Sequence, residues 1–263
     1  MLRSATDYLA EHGVPSPRVD AEWLLAHALG LSRIELYTQH DRPLTDAERA
    51  EARELVRRRG AREPLAYVLG SWGFRHLDLT TDKRALVPRP ETEVVVDRCL
   101  ALLERVSEPR VLDVGTGTGA IALSIAHELP DARVTATDLS VDALALAEEN
   151  AGRLGLRVDF RQADLTVAGA FDLVVSNPPY VRPDELEALE PEVRDWEPRA
   201  ALLDEGQTER LVAAKSGTWL VLETHEDRAG EIATLLECAG YIDVRVTNDL
   251  ADKPRVVEGR WTL

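Results

Sequence analysis

Long apolar runs are missing from this 263-residue sequence. No stretch reaches the roughly 18–20 apolar residues that cross a bilayer as a helix, so no membrane partner is expected. The opening segment Met1-Leu2-Arg3-Ser4-Ala5-Thr6-Asp7 lacks an apolar signal core and soon acquires acids. Cysteine is nearly absent. Cys99 and Cys238 stand far apart in helix-like apolar contexts, which predicts two buried thiols and no disulfide or metal cluster. These absences predict a cytoplasmic protein. Basic charge is short too: 31 Lys and Arg face 47 Asp and Glu, for a net charge of −16. A protein that grips long nucleic acid through its phosphates needs a broad basic surface, so no direct nucleic-acid partner is expected. One local exception is Arg53, Arg57, Arg58, Arg59 and Arg62. They read either as a solvated helix face pairing with Glu51, Glu54 and Glu63 or as a small basic docking patch.

What is present falls into two regimes. Residues 1–63 show helical periodicity without a strand-like run, as in Ala21, Leu24, Leu25, Ala28 and Leu29. Ser16-Pro17 reads as an N-cap followed by proline at the first helical position. Thr45-Asp46-Ala47-Glu48 reads as a capping box that opens an arginine-rich helix, which Gly60 ends. A bundle of about four short helices follows. Residues 64–92 form a connector in which Pro64, Gly70, Gly73, Pro88 and Pro90 interrupt β-like pieces at Tyr67-Val68-Leu69 and Leu77-Asp78-Leu79. A hairpin fits there.

Residues 93–263 alternate strand and helix. Strand-like runs lie at 110–114, 133–137, 158–160, 171–175, 219–222, 242–246 and 255–258. Helical runs lie at 120–129, 141–154 and 229–239. Such alternation predicts a mainly parallel, doubly wound α/β sheet.

Asp113-Val114-Gly115-Thr116-Gly117-Thr118-Gly119 follows the first of these strands and opens a helix. Glycines there let the backbone turn sharply and let a ligand lie against the main chain. The spacing is neither that of a dinucleotide fold nor that of a P-loop. Asp138, ending the next strand, can accept hydrogen bonds from both ribose hydroxyls of an adenosine ligand. Asp164 with Leu165 reads either as a bracket for an adenine ring or as a turn carboxylate. No basic neighbour marks a pyrophosphate site, and Asp113 puts negative charge beside the turn. That suits a ligand carrying an ammonium and a sulfonium, so the expected cofactor is S-adenosylmethionine.

Ser176-Asn177-Pro178-Pro179-Tyr180 follows a later parallel strand. The two prolines have fixed φ and no N–H, so the carbonyls stand as rigid acceptors. The Asn177 side-chain oxygen and the Pro178 carbonyl can accept both N–H bonds of a planar –NH2 group, aiming its lone pair at an incoming methyl. Tyr180 offers an aromatic face to the flat acceptor or to the sulfonium. The turn alone does not separate adenine from glutamine.

Together, the 113–119 and 177–180 turns resemble those of class I amino-methyltransferases, which have a Rossmann-like sheet. Arg62-Glu63-Pro64-Leu65-Ala66-Tyr67-Val68-Leu69-Gly70 and Val87-Pro88-Arg89-Pro90-Glu91-Thr92-Glu93 resemble the HemK/PrmC family of peptide chain release factor N5-glutamine methyltransferases. Trp196-Glu197-Pro198-Arg199-Ala200-Ala201-Leu202 and the stretch from Asp249 to Val257 are similar to the later segments of that family.

The resemblance implies a small N-terminal helical domain that docks the release factor. It also implies methylation of the glutamine of a Gly-Gly-Gln loop at Asn177, Pro178, Pro179 and Tyr180. S-adenosylmethionine would be held by Asp113, Gly115, Thr116, Gly117, Thr118, Gly119, Asp138, Asp164, Leu165 and Asn177, with Arg89 and Glu91 lining the mouth. In place of Arg89 and Glu91 as ligand-facing groups, a plain hairpin-to-helix junction capped by Thr92 is the alternative. Two departures from the family pattern stand out. The segment between Leu203 and Trp219 is shorter, and Glu223-Thr224-His225 replaces the usual Glu-Ile-Gly. The alternatives are the same chemistry on a ribosomal-protein glutamine or a nucleic-acid adenine, or a non-catalytic cofactor-binding protein that binds a release factor.

Overall fold

The computed structural model describes residues 1–262 and divides into two compact units. The first comprises Met1–Ser71 with Leu189–Trp196, the second Trp72–Ala188 with Glu197–Leu263.

The first unit is helical: α1 (Leu2–Glu11), α2 (Pro17–Leu29), α3 (Arg33–Thr38), α4 (Asp46–Gly60) and α5 (Leu65–Leu69). Leu9, Ala21, Leu24, Leu25, Ala52 and Val68 meet in its core. Thr45 forms the expected capping box with Glu48. Ser16 occupies the N-cap of α2, but its side chain makes no capping bond, and Pro17 opens the helix. Gly60 does not terminate α4. It lies inside the last turn, where a Cβ would stand 2.4 Å from Tyr8 Cε1, so close packing requires the glycine. Tyr67-Val68-Leu69 is helical, not strand, because the Pro64 carbonyl accepts the Val68 N–H at 3.0 Å and Gly70 closes the turn in the left-handed region.

Of the five arginines from Arg53 to Arg62, four are engaged by acids. Buried Arg59 binds Asp20 and Glu192, each at 2.7 Å. Arg62 bonds Glu192 at 2.7 Å and Glu190 at 3.1 Å, while Arg58 pairs with Glu63 and Arg57 with Glu54. Taking one such guanidinium out of water is costly unless carboxylates surround it, and Arg59 has two.

From Trp72 on, the second unit contains most of the hairpin β1 (Ser71–Phe74) and β2 (Leu77–Thr80), followed by α6 (Thr92–Leu103). Strand and helix then alternate: β3 (Arg110–Val114), α7 (Ala120–Glu128), β4 (Arg133–Asp138), α8 (Val141–Leu154), β5 (Asp159–Gln162) and β6 (Phe171–Ser176). Helix α9 (Pro191–Arg194) lies in the segment that belongs to the first unit. The chain ends with α10 (Gln207–Ala214), β7 (Gly217–Glu223), α11 (Ala229–Cys238), β8 (Ile242–Asn248) and β9 (Pro254–Arg260). The shortened 203–219 segment therefore keeps a helix. Cys99 is buried, but Cys238, at the end of α11, is exposed, contrary to the sequence expectation.

The seven strands run in the order β5-β4-β3-β6-β7-β9-β8. β3 to β7 are parallel, and β9 inserts antiparallel between β7 and β8. Side chains alternate along each strand, so one strand serves two cores. Val111, Leu173, Val175 and Val221 pack with α6 and α7. Leu112, Val114, Val174, Leu220 and Leu222 pack with α10 and α11. Helices thus cover both faces, as a parallel sheet requires.

Candidate active site

Because β3, β4, β5, β6 and β7 are parallel, their carboxyl ends share one edge of the sheet. Val114 is level with Thr137 and Ser176, and Ser176 with Leu222. The chain leaves β3 toward β4 on one side and reaches β6 on the other. A crevice opens at such a switch point, outside the strand ends. The 113–119 and 177–180 turns both emerge there, joined by the Ser176 hydroxyl, which donates to the Val114 carbonyl at 2.7 Å.

The glycine turn is held from three directions. Gly115 and Thr116 both donate N–H bonds to the Thr137 carbonyl, at 2.8 and 2.9 Å. The Thr116 hydroxyl donates to Asp113 Oδ2 at 2.7 Å, and the Ala122 N–H reaches the same oxygen at 3.2 Å. Gly117 N donates to Asp138 Oδ2 at 3.0 Å. Gly115, Gly117 and Gly119 all have positive φ, at 72°, 57° and 84°. A Cβ at Gly115 would meet nothing within 4 Å, whereas at Gly119 it would stand 2.8 Å from Leu123 Cδ1. Gly115 faces open space and Gly119 faces helix packing. Thr118 is buried, and its carbonyl accepts from Asn150 at 3.0 Å.

Asp113 is 1% exposed, and its Oδ1 has no hydrogen-bond partner. Burial pushes its carboxyl up to about 7, against bonds from Thr116 and Ala122 that favour the ionised form. Asp138 spends one lone pair on Gly117 and one on Ser140, whose N–H lies 2.9 Å from Oδ1. Each oxygen keeps a second lone pair for a ligand hydroxyl. Leu165 has φ 74°, and its carbonyl accepts the Thr137 hydroxyl at 2.8 Å. Asp164 is exposed and pairs with Arg210 at 2.8 Å, so a ligand amine there would share its carboxylate.

In the second turn, Asn177 is half-buried and its Nδ2 donates to the Thr92 hydroxyl at 3.4 Å. Pro178 is buried, and Pro179 and Tyr180 are partly exposed. The chain just beyond is pinned by the Val181 N–H to the Leu202 carbonyl at 2.9 Å and the Asp204 N–H to the Val181 carbonyl at 2.9 Å. Burial raises the Tyr180 hydroxyl above its usual range, keeping the ring neutral. Its ring centroid lies 6.2 Å from that of His225.

Arg89 donates to Glu197 Oε2 at 2.6 Å, and Glu197, 4% exposed, also accepts from Val87 N at 3.3 Å. Glu91 is exposed at the N-cap position of α6; Thr92 is the first helical residue and not its cap. Sequence reasoning passed over Glu223, which ends β7 at 1% exposure with Oε2 unpartnered. The signal was available, since Asp113 and Asp138 are also acids at the ends of parallel strands. Among the described residues, no group of three or more His, Cys, Asp or Glu is placed to hold a metal ion.

Comparison with known proteins adds the following. The model of the PrmC N-terminal domain matches residues 1–70, and that of the methyltransferase small domain matches residues 95–193. The chain is 42% identical to the release factor glutamine methyltransferase of Geobacter sulfurreducens over 96% of its own length and 93% of that protein. It is 42% identical to the release factor glutamine methyltransferase of Deinococcus radiodurans, over 99% and 97%. Among solved structures, the hMettl16 catalytic domain in complex with a MAT2A 3'UTR hairpin has a TM-score of 0.58 at 15% identity, covering 83% of each chain. A methyltransferase from Pyrococcus furiosus gives 0.52 at 17% identity, covering 82% of this chain and 99% of that one. The structural likenesses show a shared class I methyltransferase fold.

Proposed function

The chain belongs to the release factor glutamine methyltransferase family, and on that premise we propose that it methylates the side-chain amide nitrogen of the glutamine in a release factor's Gly-Gly-Gln loop. The observation that carries the reading is the pairing of two turns at one switch point: an acid-flanked glycine cradle and the Asn177-Pro178-Pro179-Tyr180 turn.

The residues suit S-adenosylmethionine. The unpartnered, buried Asp113 Oδ1 is an acceptor and a latent negative charge beside the turn. The open space at Gly115 admits a ligand against the backbone, and Asp138 keeps lone pairs for ribose hydroxyls. Residues 115–119, Asp138 and Leu165 would hold it. When bound, it supplies a methyl group on a sulfonium.

The protein's own part is orientation. Asn177 Oδ1 and the Pro178 carbonyl accept the two N–H bonds of the glutamine amide, which holds the nitrogen toward the methyl. They also favour the positive charge that appears on nitrogen as the new bond forms. Fixed acceptors cost no reorganisation at that moment. Tyr180, kept neutral by burial, lays an aromatic face beside the reacting groups. Asp164 is the weakest of the named cofactor residues, because Arg210 already occupies it.

The helical unit would dock the release factor. Val19 and Trp23 on α2 and Ile34 and Tyr37 on α3 are all exposed, Ile34 to 77%. Arg33 lies over the Trp23 ring and Arg18 bonds the Tyr37 hydroxyl, which ties α2 to α3. A substrate of translation termination implies action in the cytoplasm. Among the described residues, no helix is long and apolar enough to cross a membrane.

The test is to incubate the protein with labelled S-adenosylmethionine and, in separate reactions, release factor, ribosomal proteins and DNA, then locate the label by mass spectrometry. Label on the release-factor glutamine is the expected result. Label on a ribosomal protein or on adenine, or none in any reaction, counts against the reading.

A further inference from the structure

Two prolines leave the 177–180 turn with few means of holding itself. Pro178 and Pro179 have no N–H to donate, so the turn depends on what grips the chain at its two ends. On the near side, the Ser176 hydroxyl donates to the Val114 carbonyl at 2.7 Å. On the far side, the peptide between Tyr180 and Val181 is bonded through both of its polar atoms. Its N–H donates to the Leu202 carbonyl at 2.9 Å, and its carbonyl accepts from Arg228 Nη1 at 3.5 Å. A peptide is planar, so bonds to both atoms fix its orientation.

Arg228 is 9% exposed and ends the short 226–228 turn that follows β7. Its Nη1 also donates to Asp204 Oδ2, one hydrogen serving each acceptor. Asp204 in turn donates its backbone N–H to the Val181 carbonyl at 2.9 Å. The pair therefore grips two successive carbonyls, those of Tyr180 and Val181. Glu231 stands farther off, 3.7 Å from Nε, so Asp204 is the carboxylate that aims the guanidinium. The Arg228 N–H donates to the His225 carbonyl at 3.0 Å, and the His225 ring lies 6.2 Å from that of Tyr180. One short turn thus addresses both the carbonyl and the ring of Tyr180.

Asp204 belongs to the shortened 203–219 segment, and Arg228 lies just beyond Glu223-Thr224-His225. The two places where this sequence departs from the family pattern therefore meet at the turn. We propose that Arg228, aimed by Asp204, is a positioning residue that fixes the Tyr180–Val181 peptide and so keeps the Pro178 carbonyl and the Tyr180 ring in place for the amide to be methylated. Its effect on catalysis rests on the glutamine reading above; its effect on the turn does not.

Two readouts on the full-length protein test this, in wild type, Arg228→Met, Arg228→Lys and the double variant Arg228→Met with Asp204→Asn. Arg228→Met leaves Asp204 a mostly buried carboxylate without its partner, so the melting temperature should fall; the double variant removes that charge and should recover it. A merely structural ion pair would let the rate recover as well. Positioning predicts that kcat for release-factor methylation stays about 10- to 100-fold below wild type in both, the scale of a small misplacement at reacting groups, with S-adenosylhomocysteine affinity unchanged. Arg228→Lys, whose ammonium can give one hydrogen to each acceptor, should regain most of the lost rate. The second readout needs no substrate. Hydrogen exchange at the Val181 and Asp204 amides should quicken in the double variant and stay slow in Arg228→Lys, while the Gly115 amide, bonded to the Thr137 carbonyl, keeps its rate. A wild-type kcat in the double variant, or unchanged exchange at both amides, overturns the proposal. If the wild-type protein methylates no release factor, the glutamine reading fails instead, and the exchange rates still decide the grip on the turn.

Discussion

Asp138 Oδ2 accepts the Gly117 N–H at 3.0 Å, so the acid that ends β4 also holds the glycine turn that follows β3. One carboxylate thus shapes the cradle and offers lone pairs to whatever lies in it. Replacing Asp138 with Ala should remove both. Hydrogen bonds to a charged group are worth about 1.5–3 kcal/mol each, so affinity for S-adenosylhomocysteine should fall by at least about tenfold. Calorimetric titration measures it; an unchanged affinity would remove Asp138 from the cofactor site.

The glycines separate ligand space from packing space. Gly115→Ala meets only the cost of positive φ, about 1–2 kcal/mol, because a Cβ there has open surroundings. Gly119→Ala bears that cost and drives a methyl toward Leu123 and Ala147. Thermal unfolding should therefore show Gly119→Ala as the less stable of the two. Cofactor titration should show Gly115→Ala losing affinity while still folded. Equal melting temperatures would contradict this division.

Legibility in the sequence followed the range of the interaction. The glycine turn, the capping box at Thr45 and the strand at Arg110–Val114 are set by neighbours in the chain, and each stands where the pattern put it. The β-like reading of Tyr67-Val68-Leu69 failed because five residues carry no periodicity that tells helix from strand, and the Pro64 and Gly70 boundaries decided it. Gly60 looked like a helix stop, whereas its cause is Tyr8, far away in sequence. The placement of β9 between β7 and β8, and the meeting of Thr92 with Asn177, depend on sheet pairing and helix packing that no local window contains.

Asp113 predicts a pH signature. Its folded value, about 7, lies above the ordinary 3.8. The stabilisation this represents is fully present below the unfolded value and is lost as pH rises through about 7. Asn at position 113 cannot ionise, so in the ligand-free protein the stability of Asp113→Asn relative to wild type should improve from pH 4.5 to pH 8. Urea unfolding at both pH values reads the difference. Parallel behaviour of the two proteins would show that Asp113 is not held neutral by burial.

Docking by the helical unit predicts a split between binding and chemistry. Trp23→Ala combined with Ile34→Asp alters exposed side chains only. If that face receives the release factor, KM for the release factor should rise by about tenfold or more, as loss of an aromatic anchor does at interfaces, with kcat unchanged. Steady-state kinetics over a range of release-factor concentrations decides it, and an unaltered KM would place docking elsewhere.

The central claim is that Asn177 clamps the amide to be methylated. Asn177→Ala removes one acceptor without touching the bonds that shape the 113–119 cradle. Single-turnover methyl transfer to a release factor, measured beside cofactor affinity, tests it most directly. The account predicts a rate lowered by about 100-fold or more, with most of the cofactor affinity retained. A wild-type rate in Asn177→Ala would contradict it.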